Sequence, residues 1–171
     1  MTAVAAPLPR VARARVTFRL ETDADAAFSQ EVYAASREDE MRVVPWTDEQ
    51  KRVFLAAQFE AQRRFYRDQF PETDFLIILV DGRPAGRLYV RRTTGEINLV
   101  DIALLPAWRS AGIGGALVSE LLDESRRTGH PVRLHVEHQN PARRLYDRLG
   151  FVLIADLGVY VHMEWRGERV S

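Results

Sequence analysis

The residues best suited to chemistry in this chain lie between Ile97 and Phe151. An apolar run from Ile97 to Leu105 stops at Pro106. It gives way to Arg109-Ser110-Ala111-Gly112-Ile113-Gly114-Gly115, which opens an amphipathic segment ending near Gly129. Strand, glycine turn and helix in that order leave a row of free backbone N–H groups at the positive end of the helix dipole, where an anion can sit. Two phosphate loops share this outline. A Walker loop needs a lysine and a hydroxyl straight after its last glycine, and Gly115-Ala116 stands there instead, which excludes it. A dinucleotide fingerprint needs a third glycine at position 117, which is leucine, and this weighs against it. A tight strand-to-helix turn, with glycines for packing only, is the alternative for the loop taken alone.

After the helix come Val132-Arg-Leu-His135-Val-Glu137, then Asn140-Pro141-Ala142-Arg-Arg-Leu145-Tyr146 and Leu149-Gly150-Phe151. Arg-x-x-Gly-x-Gly behind a strand, followed by Asn, Ala-x-x-Leu-Tyr and Leu-Gly-Phe, resembles the two signature segments of the GNAT N-acetyltransferase superfamily. The resemblance implies acetyl-CoA as co-substrate, an amine as acceptor and no metal. It also implies that backbone N–H groups from Arg109 through Ser110, Ala111, Gly112, Ile113 and Gly114 to Gly115 hold the diphosphate. The main chain of Ile102, Ala103 and Leu104 would bond the pantetheine amides like an added strand. Asn140 would bond the same arm, and Tyr146 would contact it as the general acid.

Moving an acetyl group from a thioester to an amine needs a neutral amine, a stabilised carbonyl oxygen and a proton for the departing thiolate. A phenol of pKa about 10 is a credible donor to a thiolate whose acid has pKa about 8.5. Tyr146 is therefore the expected acid, with a packing tyrosine as the alternative. Asn140 before Pro141 is also a good helix cap. His135 is the expected general base, on a strand beside the site and titrating in the right range; a strand histidine bonded to backbone is its other reading. Glu137 shares its strand face as the alternative base, and Asp101 and Glu96 are rivals. His138 and His162 are placed less well, and no set of side chains has metal-ligand spacing. Glu31, Asp39, Glu40, Asp48 and Glu49 could draw a cationic acceptor, although such acids are usually just solvated. The acceptor itself has no legible code.

The elements that must position these residues follow from periodicity. Val16 to Glu21 alternates as a first strand. Thr22-Asp23 starts a helix through about Arg37 with Ala27, Phe28, Val32 and Ala35 on its apolar side. Thr47-Asp48-Glu49-Gln50 is a capping box for a helix to about Phe70, with Phe54, Ala57, Ala61 and Phe65 recurring at helical spacing. Asp74 to Val80 is a buried strand, Asp81 to Gly86 a turn, and Arg87 to Arg92 the return. Then come a central strand (96–105), a helix (112–128), a strand (131–137), a short helix (141–149) and two closing strands (152–156 and 158–165). This order predicts an α/β fold with a mixed, mostly antiparallel sheet and one central parallel β-α-β crossover, which is the acyl-CoA N-acyltransferase fold the resemblance implies.

With 171 residues, 46% hydrophobic and 28% charged, the chain has room for one full core. Residues 1–15 are expected to be a disordered leader, a transit peptide being the less favoured reading, and 16–168 a single domain. Formal net charge is zero, so bulk charge gives no support to nucleic-acid or membrane binding. The absence of cysteine excludes a disulfide frame, a thiolate zinc site and a cysteine nucleophile. The expectation is thus a cytoplasmic N-acyltransferase acting by direct attack in a ternary complex, with the final strand a candidate for homodimer pairing. A catalytically silent acyl-CoA sensor of the same fold is the alternative, and a Rossmann-type nucleotide enzyme is disfavoured by Leu117 and the antiparallel strands.

Overall fold

Among the described residues the chain forms eight strands of one sheet, seven of them from the alternating and apolar runs of the sequence. They are β1 (Val4–Ala5), β2 (Val16–Leu20), β3 (Thr73–Val80), β4 (Arg83–Arg92), β5 (Ile97–Leu104), β6 (Val132–Glu137), β7 (Val152–Asp156) and β8 (Tyr160–Trp165). The order across the sheet is β1-β2-β3-β4-β5-β6-β8-β7, and the one parallel pair is β5 with β6. The structure is a computed structural model that describes residues 4–5 and 15–167. The leader expected over 1–15 lies outside the described residues apart from Arg15 and the backbone of β1, which pairs with Thr17 and Phe18.

Helices cover both faces. α1 (Ala26–Ser36), α2 (Glu38–Arg42) and α3 (Asp48–Gln69) lie on one, and α4 (Ile113–Thr128) and α5 (Ala142–Leu149) on the other. Strand alternation sorts the sheet side chains between them. Leu88, Val90, Leu99, Leu134 and Met163 join the large core under α4, whereas Tyr89 and Arg87 point toward α3. α4 contributes Ile113, Leu117, Val118, Leu121 and Leu122, a stripe at helical spacing, and stops where Gly129 adopts φ 76° and donates to Ser125. A fully buried aliphatic side chain such as Ile77 or Ile78 contributes roughly 1.5–3 kcal/mol.

One irregularity opens the sheet. β5 and β6 pair only from Ile97–Val132 to Leu99–Leu134. Opposite β4, Tyr89 faces Asp101 and Val90 faces Leu99, which leaves Val100 as the extra residue of a bulge. A bulge bends its strand and sharpens the local twist. From that point β5 follows β4 and β6 follows β8, so the two parallel strands part toward their C-terminal ends.

Several expected details shift. The sequence places Ala27, Phe28, Val32 and Ala35 inward on α1, but its buried residues are Ser29, Val32 and Tyr33, and Ala27 is exposed. On α3 three of the expected stripe, Ala57, Ala61 and Phe65, are exposed, while Phe54 is half-buried against the small core of Tyr33, Leu55 and Phe59. Leu55 and Phe59 are buried instead, and Phe65 is 55% exposed. The buried face of α1 holds groups with polar atoms that find partners. Ser29 donates to Glu21, and Tyr33 donates to Gln58 at 3.0 Å. The β3–β4 turn is tighter than expected: Asp81 (φ 50°) and Gly82 (φ 80°) suffice, and Arg83 already pairs with Val80. The capping box at Thr47 forms, with Gln50 N donating to Thr47 Oγ1 at 3.1 Å and Thr47 N to Gln50 Oε1 at 3.0 Å.

Candidate functional site

The strand-to-helix loop has the geometry its glycines suggested. Gly112 is the N-cap of α4 at φ 81°, and Ser110 also sits in the left-handed region at φ 61°. For a serine this is uncommon and costs energy, which the surrounding contacts must offset. The first hydrogen bond of the helix runs from Ala116 N to Gly112 O at 3.0 Å, so the amides before it point out of the helix end. Ile113 anchors the loop by burying its side chain in the core. Arg109 Nε donates to Leu104 O at 2.9 Å, tying the loop to the end of β5. A Cβ at Gly112 or Gly114 would meet no atom within 4 Å, and a Cβ at Gly115 would meet Leu145 at 3.5 Å.

A cleft of about 520 Å³ runs from this loop through the gap between β5 and β6. It brings together most of the residues singled out in the sequence: Ile102, Ala103, Leu104, Arg109, Gly114, His135, Glu137, Asn140 and Tyr146. Ser110, Ala111, Gly112, Ile113 and Gly115 do not line it, and their side chains or Cα atoms face solvent or core. Where β6 departs, Ile102 to Leu104 keep β4 on one side, facing Leu88, Arg87 and Gly86. A second chamber of about 760 Å³ opens toward α1 and α3 and shares Tyr33, Arg37, Gln62, Leu99, His135 and Glu137 with the first.

Tyr146 is 5% exposed, packs its ring 5.5 Å from Phe151, and still lines the cleft. Burial, and then the charge of Asp101, push its hydroxyl well above the ordinary tyrosine range, so the phenol holds its proton. Asp101 itself approaches Arg87 Nη2 to 2.7 Å without hydrogen-bond geometry, while Arg87 Nη2 donates to Gln62 Oε1 at 2.8 Å. The pair is therefore a charge contact under a sheet face rather than a directed bond. His135 stacks on His162 with ring centroids 4.2 Å apart. Burial and then the neighbouring His162 lower its pKa below the usual imidazole value, against a weaker pull from Glu96, so it is neutral near pH 7.

The other base candidates are occupied. Glu137 accepts from Arg37 Nη1 at 2.9 Å, and Glu96 accepts from Arg133 at 2.8 Å. His138 is bound between Asp156 and Arg143 at 3.0 and 3.1 Å. Asn140 Oδ1 accepts from Ala142 N at 2.9 Å, but the N-cap of α5 is Pro141 rather than Asn140, with no side-chain cap bond, because the helix starts one residue later than expected; Asn140 lines the cleft. Among the described residues no group of three or more His, Cys, Asp or Glu side chains is placed to hold a metal, and no helix is long and apolar enough to cross a membrane.

Sequence reasoning named Asp39 and Glu40 only as acids that could draw a cation, and missed that Arg37 beside them reaches Glu137 a hundred residues away and that Tyr33, Tyr66, Phe70 and Tyr160 gather in the second chamber. No spacing pattern could link Arg37 to Glu137, because nothing in a linear sequence reports which loop lies over a gap in a sheet.

Comparison with known proteins now defines the class. The family model for acetyltransferases of the GNAT family matches residues 29–151, and the chain belongs to that family. The mycothiol acetyltransferase of Nocardiopsis dassonvillei is 36% identical over 77 residues; the match covers 44% of this chain and only 20% of that protein. The chain thus spans about a fifth of the length of this curated relative. In fold it is similar to the PaiA N-acetyltransferase of Thermoplasma acidophilum in complex with coenzyme A, with TM-score 0.66, 20% identity, and 88% and 98% of the two chains covered. It is similar also to yncA of Salmonella typhimurium with its cofactor acetyl-CoA, with TM-score 0.52, 24% identity, and 89% and 94% covered.

Proposed function

We propose that residues 16–168 form one domain that transfers an acetyl group from acetyl-CoA to a primary amine by direct attack in a ternary complex. The observation that carries this reading is the cleft itself, which joins the N-terminal end of α4 to Tyr146 through the parting of β5 and β6. Coenzyme A supplies the activated acyl group as a thioester. Amides from Arg109 to Gly115 receive its diphosphate, helped by the dipole of α4. Its amide-bearing arm runs along Ile102, Ala103 and Leu104, and Asn140 donates to it from the other wall. The acceptor nitrogen attacks the carbonyl carbon from the α1–α3 side, and a backbone N–H of β5 bonds the developing oxyanion. The C–S bond breaks as Tyr146 gives its proton to sulfur. His135, neutral at the working pH, takes the proton lost by nitrogen, directly or through water. The products are the N-acetylated amine and free coenzyme A, and exchange with solvent returns a proton to Tyr146 and removes the one gained by His135.

Structures of the same fold with coenzyme A or acetyl-CoA bound support the choice of co-substrate. Calorimetric titration of the protein with acetyl-CoA and with NAD tests the reading: saturable binding of acetyl-CoA alone is expected, and binding of NAD with none of acetyl-CoA would overturn it. Thiol release with a panel of amines then separates an enzyme from a silent sensor, since a sensor binds and releases nothing.

A further inference from the structure

The second chamber has walls that select among amines. Five rings, Tyr33, Phe65, Tyr66, Phe70 and Tyr160, face a volume of about 760 Å³, within the range of sites for small molecules. Phe65 and Tyr160 stay 55% and 45% exposed, and Leu157 beside them is 60% exposed. Apolar groups gathered around an open cleft in this way mark a surface meant to be covered. Burial is the leading cause holding the hydroxyls of Tyr66 and Tyr160 above the ordinary range, so these walls carry no phenolate.

The charged lining is sparse. One guanidinium, Arg37, stands against two carboxylates, Glu40 and Glu137, and its Nη1 lies 2.9 Å from an oxygen of each. The balance is one negative charge. A single cation is therefore welcome. A polycation would find too few acids, and a carboxylate would have to displace one of the two already on Arg37.

We infer that the acceptor is a small monoamine with an aromatic or branched apolar body and no acidic group, seated with its body among the rings and its nitrogen at His135. This rests on the acetyl-transfer reading and goes further by naming the acceptor class. The ammonium would enter on the net negative charge, give up a proton to solvent, and present a neutral nitrogen to the thioester through the shared wall at Leu99 and His135.

The test uses the full chain. Acetyl-CoA binding is first measured by calorimetry, and coenzyme A release is then followed with 2-phenylethylamine, spermidine, kanamycin, L-phenylalanine and a short peptide with a free N-terminus. We expect kcat/KM for 2-phenylethylamine to exceed that of each competitor by about 10-fold or more, a margin a hydrophobic pocket can supply. Phe65→Ser should raise KM for it by about 10-fold with kcat and acetyl-CoA affinity unchanged, since it removes uniform binding only. Glu40→Gln should also raise KM, without affecting the release of coenzyme A at saturating amine. If acetyl-CoA binds but spermidine, kanamycin, the amino acid or the peptide is preferred, or no amine is accepted, the inference fails while the co-substrate site stands. If acetyl-CoA does not bind, the underlying reading fails first.

Discussion

Tyr146 and His135 line the same cleft with pKa values pushed in opposite directions, one phenol kept protonated and one imidazole kept neutral. That division suits an acid and a base working in one turnover. Tyr146→Phe should lower kcat by about 100-fold, the order of a general acid contribution, with acetyl-CoA affinity little changed; an unchanged kcat in a thiol-release assay would remove Tyr146 from the chemistry. For His135, the wild-type profile of kcat/KM should fall as pH drops through a value below the ordinary imidazole pKa of about 6.5, because only the neutral ring accepts a proton. His135→Ala should be slower above that point and lack the acid limb; a variant that keeps the same limb would make the histidine structural. The types of these two residues were legible in the sequence. Arg37 and the five-ring chamber were not, because they depend on which distant segments a gap in the sheet brings face to face.

At the scale of elements, the site depends on how tightly β4 and β5 run together before β5 is released from β6. Gly86 faces Leu104, and a Cβ there would lie 2.1 Å from Ala103 O, a backbone atom that cannot swing aside. Gly86→Ala should cost roughly 1–3 kcal/mol of stability, read as a melting temperature lower by about 2–4 °C per kcal/mol. It should also weaken acetyl-CoA binding by displacing Ala103 and Leu104; an unaltered melting curve and dissociation constant would show that the strand has slack. Element types and order were readable because strand and helix periods differ and turns carry Gly, Pro or Asp. The inward faces of α1 and α3 were misassigned for an equally physical reason. Buried Ser29 and Tyr33 and half-buried Gln62 satisfy polar atoms against Glu21, Gln58 and Arg87, and a rule that ranks faces by apolarity alone cannot see those bonds.

For the molecule as a whole, a half-buried ion pair fixes the start of the α1 face to the sheet. Arg19 binds Asp25 through two contacts of 2.7 Å, and these, with Thr22 N, hold the carboxyl down to about 2 from an ordinary 3.8. A folded pKa below the unfolded one gives stability that is full above the unfolded value and is lost as pH falls through the folded value. The melting temperature should therefore decline between about pH 4 and pH 2, and Asp25→Asn should flatten that part of the curve. An unchanged slope in the variant would assign acid sensitivity elsewhere.

The central claim is that the amides ahead of α4 grip the diphosphate of coenzyme A and deliver its sulfur to Tyr146. A crystal structure with coenzyme A bound tests it most directly. The account requires the diphosphate oxygens on the backbone N–H groups between Arg109 and Gly115, the arm between β5 and β6, and the sulfur within hydrogen-bond reach of the Tyr146 hydroxyl. A diphosphate bound elsewhere, or a sulfur on the far side of the sheet from that hydroxyl, would contradict it.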